Sequence, residues 1–150
     1  MQHLWLYQTE VSGEGLGHLA ELPELRELVL LDSQIDDHEF DHAQQLKQLQ
    51  RLSIGGPNLT DADLIPLRGI TQLKSLSISR SRITDAGLEH LRPLEKLDSL
   101  DIDSSLAPDA GLEHLHRLAG LQEIGLYGTQ ITDAGVNALQ QSLPNCRIVK

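Results

Sequence analysis

Leu25, Leu49, Leu73, Leu97 and Leu121 stand 24 residues apart, and that spacing constrains this chain more than any other feature. A fixed period of this length means one supersecondary unit repeated and stacked. Cut into blocks of 24 from Met1, the sequence aligns without a gap until the last block. Apolar residues then occupy block positions 1, 4, 6, 11, 16, 19 and 22, as in Leu73, Leu76, Ile78, Ile83, Leu88, Leu91 and Leu94. Over six blocks these positions are apolar with one exception, Ser142. A partial seventh block places Leu143, Cys146 and Ile148 in the same frame, which shortens block six to 22 residues.

Inside a block the spacing changes, and the change dictates local structure. Positions 4 and 6 alternate with polar neighbours, as in Leu76-Ser77-Ile78, the two-residue period of a short strand buried on one face. Positions 16, 19 and 22 advance by threes, which gives a single apolar stripe on a short helix. Between them stands S-R-I-T-D-A-G-L at 81–88, repeated as T-Q-I-T-D-A-G-V at 129–136. Thr84 and Thr132 suit the N-cap, and Asp85 and Asp133 suit the first turn, where the helix dipole favours a carboxylate. Each block therefore reads strand, turn, helix, turn. One block cannot bury its own apolar side, so neighbours must stack around a shared core. Strands every 24 residues with helical returns predict a parallel sheet about 4.8 Å from strand to strand. The fold expected is a right-handed α/β solenoid, a short horseshoe with the sheet on the concave face and helices on the convex face.

The unit L-x-x-L-x-L-x-x-[ST]-x-[IL]-[TS]-D-A-G-L-x-x-L-x-x-L resembles the leucine-rich repeat family, closest to its ribonuclease-inhibitor-like and bacterial members. The closing Leu143-Pro144-Asn145-Cys146-Arg147-Ile148 resembles the way chains of the bacterial type finish. The resemblance implies a protein-binding scaffold whose concave face carries the contacts, with no catalytic residues in its repeats. It implies one domain over 1–150, with repeats 1–24, 25–48, 49–72, 73–96, 97–120 and 121–142 and a terminal strand in 143–150. Three departures are visible. Gly55-Gly56-Pro57 and Pro66 predict a short or 3₁₀-like helix in block three. Block five carries the small Ala107 where other blocks use a larger apolar residue. Block one reads Ser12-Gly13-Glu14-Gly15 in place of T-D-A-G, a weaker helix start.

The repeated frame accounts for 44 of the 59 hydrophobic residues, and alanine for seven more. The other eight are Trp5, Tyr7, Val29, Leu31, Ile65, Leu106, Tyr127 and Val149. With positions 4 and 6 facing the core, positions 3, 5 and 7 face the concave surface. Trp5, Tyr7, Val29 and Leu31 fall there on adjacent strands, so they predict one apolar patch edged by His3, Glu27 and Arg51. Further along, the same positions turn small and polar, with Ser53, Gly55, Ser75, Ser77 and Ser79. They then turn acidic, with Asp101, Asp103 and Glu123 around Tyr127, a setting that favours a basic partner surface.

Net charge narrows the partners. With 22 acidic against 12 basic residues the chain carries −10, and no basic patch offsets it, which argues against nucleic acid and anionic membranes. The start, MQHLWLYQTE, does not read as a signal peptide, and a lone Cys146 forms no internal disulfide, so the expected setting is cytoplasmic. His18, His42, His90 and His114 share block position 18, but tetrahedral metal sites want three or four ligands, and these pairs lack a nearby Cys. The column Asp37, Asp61, Asp85, Asp109 and Asp133 has helix capping as a sufficient reason and needs no calcium. No G-x-S-x-G, G-x-x-x-x-G-K-[ST] or H-E-x-x-H occurs, and Cys146 points inward. The expectation is a non-enzymatic protein-binding module without metal or cofactor, with an inhibitor-like or immunity-like role as a special case. The alternative is a structural array whose uncapped N-terminal edge forms a homodimer or packs on an upstream domain.

Overall fold

Every 24 residues the chain re-enters one sheet, and the strands stack in sequence order. A computed structural model describes residues 1–11, 13–32 and 39–150. Its seven strands are β1 His3–Tyr7, β2 Glu27–Leu31, β3 Arg51–Gly55, β4 Ser75–Ser79, β5 Ser99–Asp101, β6 Glu123–Gly125 and β7 Arg147–Val149. All neighbours are parallel, and each residue pairs with the one 24 positions on, as in Leu28↔Leu52↔Leu76↔Leu100↔Ile124↔Ile148; the sheet register therefore does not shorten at block six as the sequence frame expected, and Cys146 lies just before β7. Those inward residues are fully buried, as the two-residue alternation requires, except the partly buried Ile148 on the last strand.

The returns pack on the other side of the core. Among the described residues three are α-helical, α1 Gly13–Leu19, α2 Asp85–Glu89 and α3 Asp133–Ser142, and three are 3₁₀ segments at Glu39–Gln45, Asp61–Gly69 and Asp109–His114. The tight form expected around Pro66 is present, with Pro66 itself buried. The sequence did not single out the 3₁₀ segments of blocks two and five. Leu88, Leu91 and Leu94, and their equivalents in blocks three and five, lie at the centre of the core. The burial of each such leucine is worth about 2 kcal/mol. Block one is less complete: Leu4, Leu6, Val11, Leu19 and Leu22 are only partly buried. At the other end Gln140 closes the stack, its side-chain amide donating to the carbonyls of Leu143 and Cys146 at 2.9 Å each.

The T-D-A-G element does more than cap its own helix. Thr84 and Thr132 accept N–H bonds from Ala86 and Gly135, as expected of N-caps. Each threonine is itself held by the aspartate of the preceding block. Asp61 accepts from the Thr84 N–H and hydroxyl, both at 2.7 Å. Asp109 accepts from the Thr132 N–H at 2.7 Å and its hydroxyl at 2.6 Å. The glycine completes the rung, because a Cβ at Gly87 would collide with Asp61, and one at Gly135 with Asp109. Asp85 has no such bond, since its counterpart in the next block is Pro108, which has neither N–H nor hydroxyl. Ser12, Ile35 and Asp37 lie outside the described residues.

A second column was not anticipated. Gln8, Asp32, Gly56, Arg80, Ser104 and Gly128, again 24 apart, all have positive φ. The first four directly follow β1 to β4, and Ser104 and Gly128 come shortly after the ends of β5 and β6, where the chain turns away from the sheet. Four of the six are not glycine, and holding such a residue there costs on the order of 1 kcal/mol. The cost is offset in part because each of the four donates its N–H to a carbonyl of the next block: Gln8 to Leu31, Asp32 to Gly55, Arg80 to Asp103 and Ser104 to Tyr127.

Two outcomes follow from the rungs. Gly87→Ala should lower stability by about 1–3 kcal/mol through overpacking against Asp61, although alanine is the better helix former. Urea denaturation checks this, and an unchanged or raised midpoint would refute the steric account. The Asp109 carboxyl is held below its usual value by the Thr132 hydroxyl first and the Thr132 N–H second. A lowered carboxyl pKa in the folded state stabilises the fold above the unfolded value and ceases to do so as pH falls through the folded one. Thermal melts should therefore drop below about pH 4, and Asp109→Asn should flatten part of that fall.

Candidate functional site

The sheet's outer face carries the expected residues, in an arrangement the sequence did not fully foresee. Trp5, Tyr7 and Tyr127 are 62%, 56% and 70% exposed. Val29 differs from expectation: although it points to the outer face, only 8% of its surface is accessible. It is the register partner of Trp5, and it is flanked by Ser53 on the next strand. Leu31 is half-buried. The patch is thus two exposed aromatic side chains on β1 above a largely covered aliphatic floor on β2.

Glu27, expected only at the patch edge, is its organising group. One carboxylate oxygen accepts from the Trp5 indole N–H at 2.9 Å. The other lies 3.1 Å from His3 Nδ1 and 3.6 Å from an Arg51 guanidinium nitrogen. The Trp5 N–H does most to hold the Glu27 carboxyl below its usual range; burial opposes it, and His3 and Arg51 add to it. Glu27 therefore stays ionised and orients the indole from the adjacent strand. His3, Glu27 and Arg51 occupy one row across β1, β2 and β3, so a single polar cluster spans the start of the sheet. Past the opposite ends of the strands, Arg80 reaches back across β3 to Asp32 at 2.9 Å.

At the other end, Asp101 and Asp103 have structural duties. Asp101 accepts from the Asp103 N–H at 3.1 Å, and Asp103 from the Tyr127 N–H at 2.7 Å. These bonds satisfy backbone groups where β5 and β6 stop after three residues each. Asp103 and Tyr127 accordingly sit just past the ladder, whereas the sequence pattern put them in strand positions. Gly125 leaves room for the Asp101 carboxylate, since a Cβ there would lie 3.0 Å from it. Burial raises the Asp101 pKa against the pull of the Asp103 N–H, and the charges of Asp103 and Glu123 raise it further. Glu123 pairs with Arg147 at 3.5 Å. Among the described residues, no Lys or Arg pairs with Asp101 or Asp103.

The histidine and aspartate columns have other partners. His114 Nδ1 accepts from Arg92 at 2.6 Å. His90 Nδ1 is buried without a partner among the described residues, and burial first and Arg68 second lower its basicity. Among the described residues no three His, Cys, Asp or Glu side chains converge as metal donors. The Cys146 thiol is buried, and burial pushes its pKa up. No helix among the described residues is long and apolar enough to cross a membrane.

No family model and no curated protein matches the chain. Solved structures do. An internalin C2 from Listeria monocytogenes superposes with a TM-score of 0.76 at 23% identity, over 99% of this chain and 60% of that one. A second Listeria monocytogenes internalin gives 0.59 at 21% identity over 89% and 43% of the two chains. A leucine-rich-repeat protein from Leptospira interrogans gives 0.53 at 20% identity over 88% and 38%. The chain spans less than two thirds of each of these structures. Parallel strands in unit register every 24 residues, helical returns on one side and these structural neighbours together identify the fold as a leucine-rich-repeat solenoid.

Proposed function

We propose that this chain is a protein-binding module whose partner docks on the concave sheet face. The observation that carries the reading is the exposure of Trp5 and Tyr7 side by side on β1, with the indole already oriented by Glu27. Aromatic side chains fixed in one geometry lose little entropy on binding, and they supply most of the energy at interfaces. Leu31, Val29 and Arg51 frame them. The pairing of Asp101 and Asp103 without a basic neighbour, beside Glu123 and the exposed Tyr127, favours a partner with a basic surface. An inhibitor-like or immunity-like role is one form such binding can take. The reading requires no cofactor and no catalytic residue, and the charge of −10 disfavours nucleic acid and anionic membrane as partners. A reducing, cytoplasmic setting suits a chain whose one cysteine is buried.

A second reading rests on a different observation. Leu4, Leu6, Val11, Leu19 and Leu22 leave apolar surface half-covered beside the outer edge of β1, and β1 carries no Lys or Pro to discourage pairing. That edge suits a second copy or further chain.

Affinity capture from lysate with the wild type and Trp5→Ser in parallel tests the first reading. Trp5→Ser changes an exposed side chain, whereas a charge at Val29 would disturb the floor. Capture should fall at least about tenfold for the specific partner, and identical captures would remove the concave patch from consideration. Sedimentation at micromolar concentration separates the second reading: a monomer favours a foreign partner, and a dimer abolished by Leu6→Asp favours the edge.

A further inference from the structure

The middle row of the concave face runs straight across all seven strands. Register partners place Trp5, Val29, Ser53, Ser77, Asp101, Gly125 and Val149 in one line. Its chemistry is ordered along that line: an aromatic side chain, a covered aliphatic floor, two serines, then a carboxylate without a basic partner. At about 4.8 Å per strand, Asp101 lies roughly 14 Å from Val29 and roughly 19 Å from Trp5. The rows on either side add Ser75, Ser79 and Ser99 to the stretch between. Among the described residues these serine hydroxyls make no hydrogen bond within the protein, and all are partly accessible. Short side chains with free hydroxyls admit a peptide backbone and can hydrogen-bond to its amides, which a helix would keep for itself.

Resting on the docking reading above, we propose that the concave face is a linear-motif site for an extended basic peptide laid across the strands. An apolar or aromatic side chain packs against Trp5 and Tyr7, and an arginine or lysine further along pairs with Asp101 and Asp103. The apolar side chain sits over Val29, against the flanking Trp5; an extended chain advances about 3.3 Å per residue, so four to five positions cover the roughly 14 Å from there to Asp101. A helical segment, at about 1.5 Å per residue, would need roughly ten. The charge order gives the peptide a polarity along the row: at the Trp5 end Arg51 already balances the Glu27 charge, while the Asp101 end has no such cation. Burial and the neighbouring Asp103 and Glu123 charges work against ionised Asp101 in the free protein, and a bound guanidinium would relieve this.

The test is selection of a displayed random 12-residue peptide library against the full chain, followed by fluorescence anisotropy with the synthetic consensus peptide. Enriched peptides should share an apolar or aromatic residue and an Arg or Lys four to five positions apart. Asp101→Asn keeps the oxygen that accepts from the Asp103 N–H and deletes the charge; it should weaken the peptide about tenfold and reduce its salt dependence. Trp5→Ser should weaken it at least as much. Peptides without a basic residue, a spacing near ten, affinity unchanged by Asp101→Asn, or no enrichment at all would each overturn the proposal. If Trp5→Ser still abolishes binding in those cases, or abolishes capture of a folded partner, the docking reading stands without it. Binding indifferent to both substitutions overturns both. A chain that dimerises alone, with the dimer lost in Trp5→Ser, places a second copy on the face and likewise overturns the peptide.

Discussion

No block of this protein can bury its own apolar side, and everything else follows from the way neighbouring blocks complete one another. A strand with inward leucine and isoleucine and a helix with one apolar stripe enclose a core only when another copy lies at the same register on each side. Because every repeat up to block six is the same length, the partner of any residue is the residue 24 positions on. Columns of like residues result. Leucine columns fill the core, and columns at the turns repeat whatever backbone or hydrogen-bonding device the stack requires.

Two such columns explain residue choices that hydrophobic periodicity does not reach. In T-D-A-G the threonine caps its own helix and is gripped by the aspartate one block back, and the glycine exists because that aspartate needs its space. The motif is therefore a joint between repeats as well as a helix start. Pro108 interrupts it between blocks four and five, where Asp85 has no threonine to hold. The positive-φ column after the strands is the second device. It shows four non-glycine residues held in an unfavourable backbone region by the ladders around them.

The concave face exists because the core uses only one side of the sheet. Its two ends are built differently. Near β1 a carboxylate is surrounded by an indole N–H, an imidazole and a guanidinium, which fixes the aromatic ring and leaves little net charge. Near β5 and β6, carboxylates are drawn in to satisfy backbone N–H groups beyond short strands, and they retain unneutralised charge. Stability and recognition thus share the same side chains at that end, and substituting Asn there separates the two roles.

The period, the succession of strand and helical return, the central core columns and the row occupied by each outward residue were determined by the sequence alone, because they depend on spacing along the chain; where β5 and β6 stop and which returns tighten to 3₁₀ were not. Trp5, Tyr7 and Tyr127 were legible as outward residues for that reason, and so were the N-caps Thr84 and Thr132. Only the tertiary structure decided what depends on the distance between side chains of different blocks. It covered Val29, made Glu27 the hub of the patch and gave Asp101 and Asp103 backbone partners. It also tied Asp61 to Thr84. The signal for that last contact was present in the recurring aspartate and threonine of successive blocks, but spacing gives adjacency and not the direction in which a side chain turns. Direction is settled by packing and hydrogen bonding once the blocks are stacked.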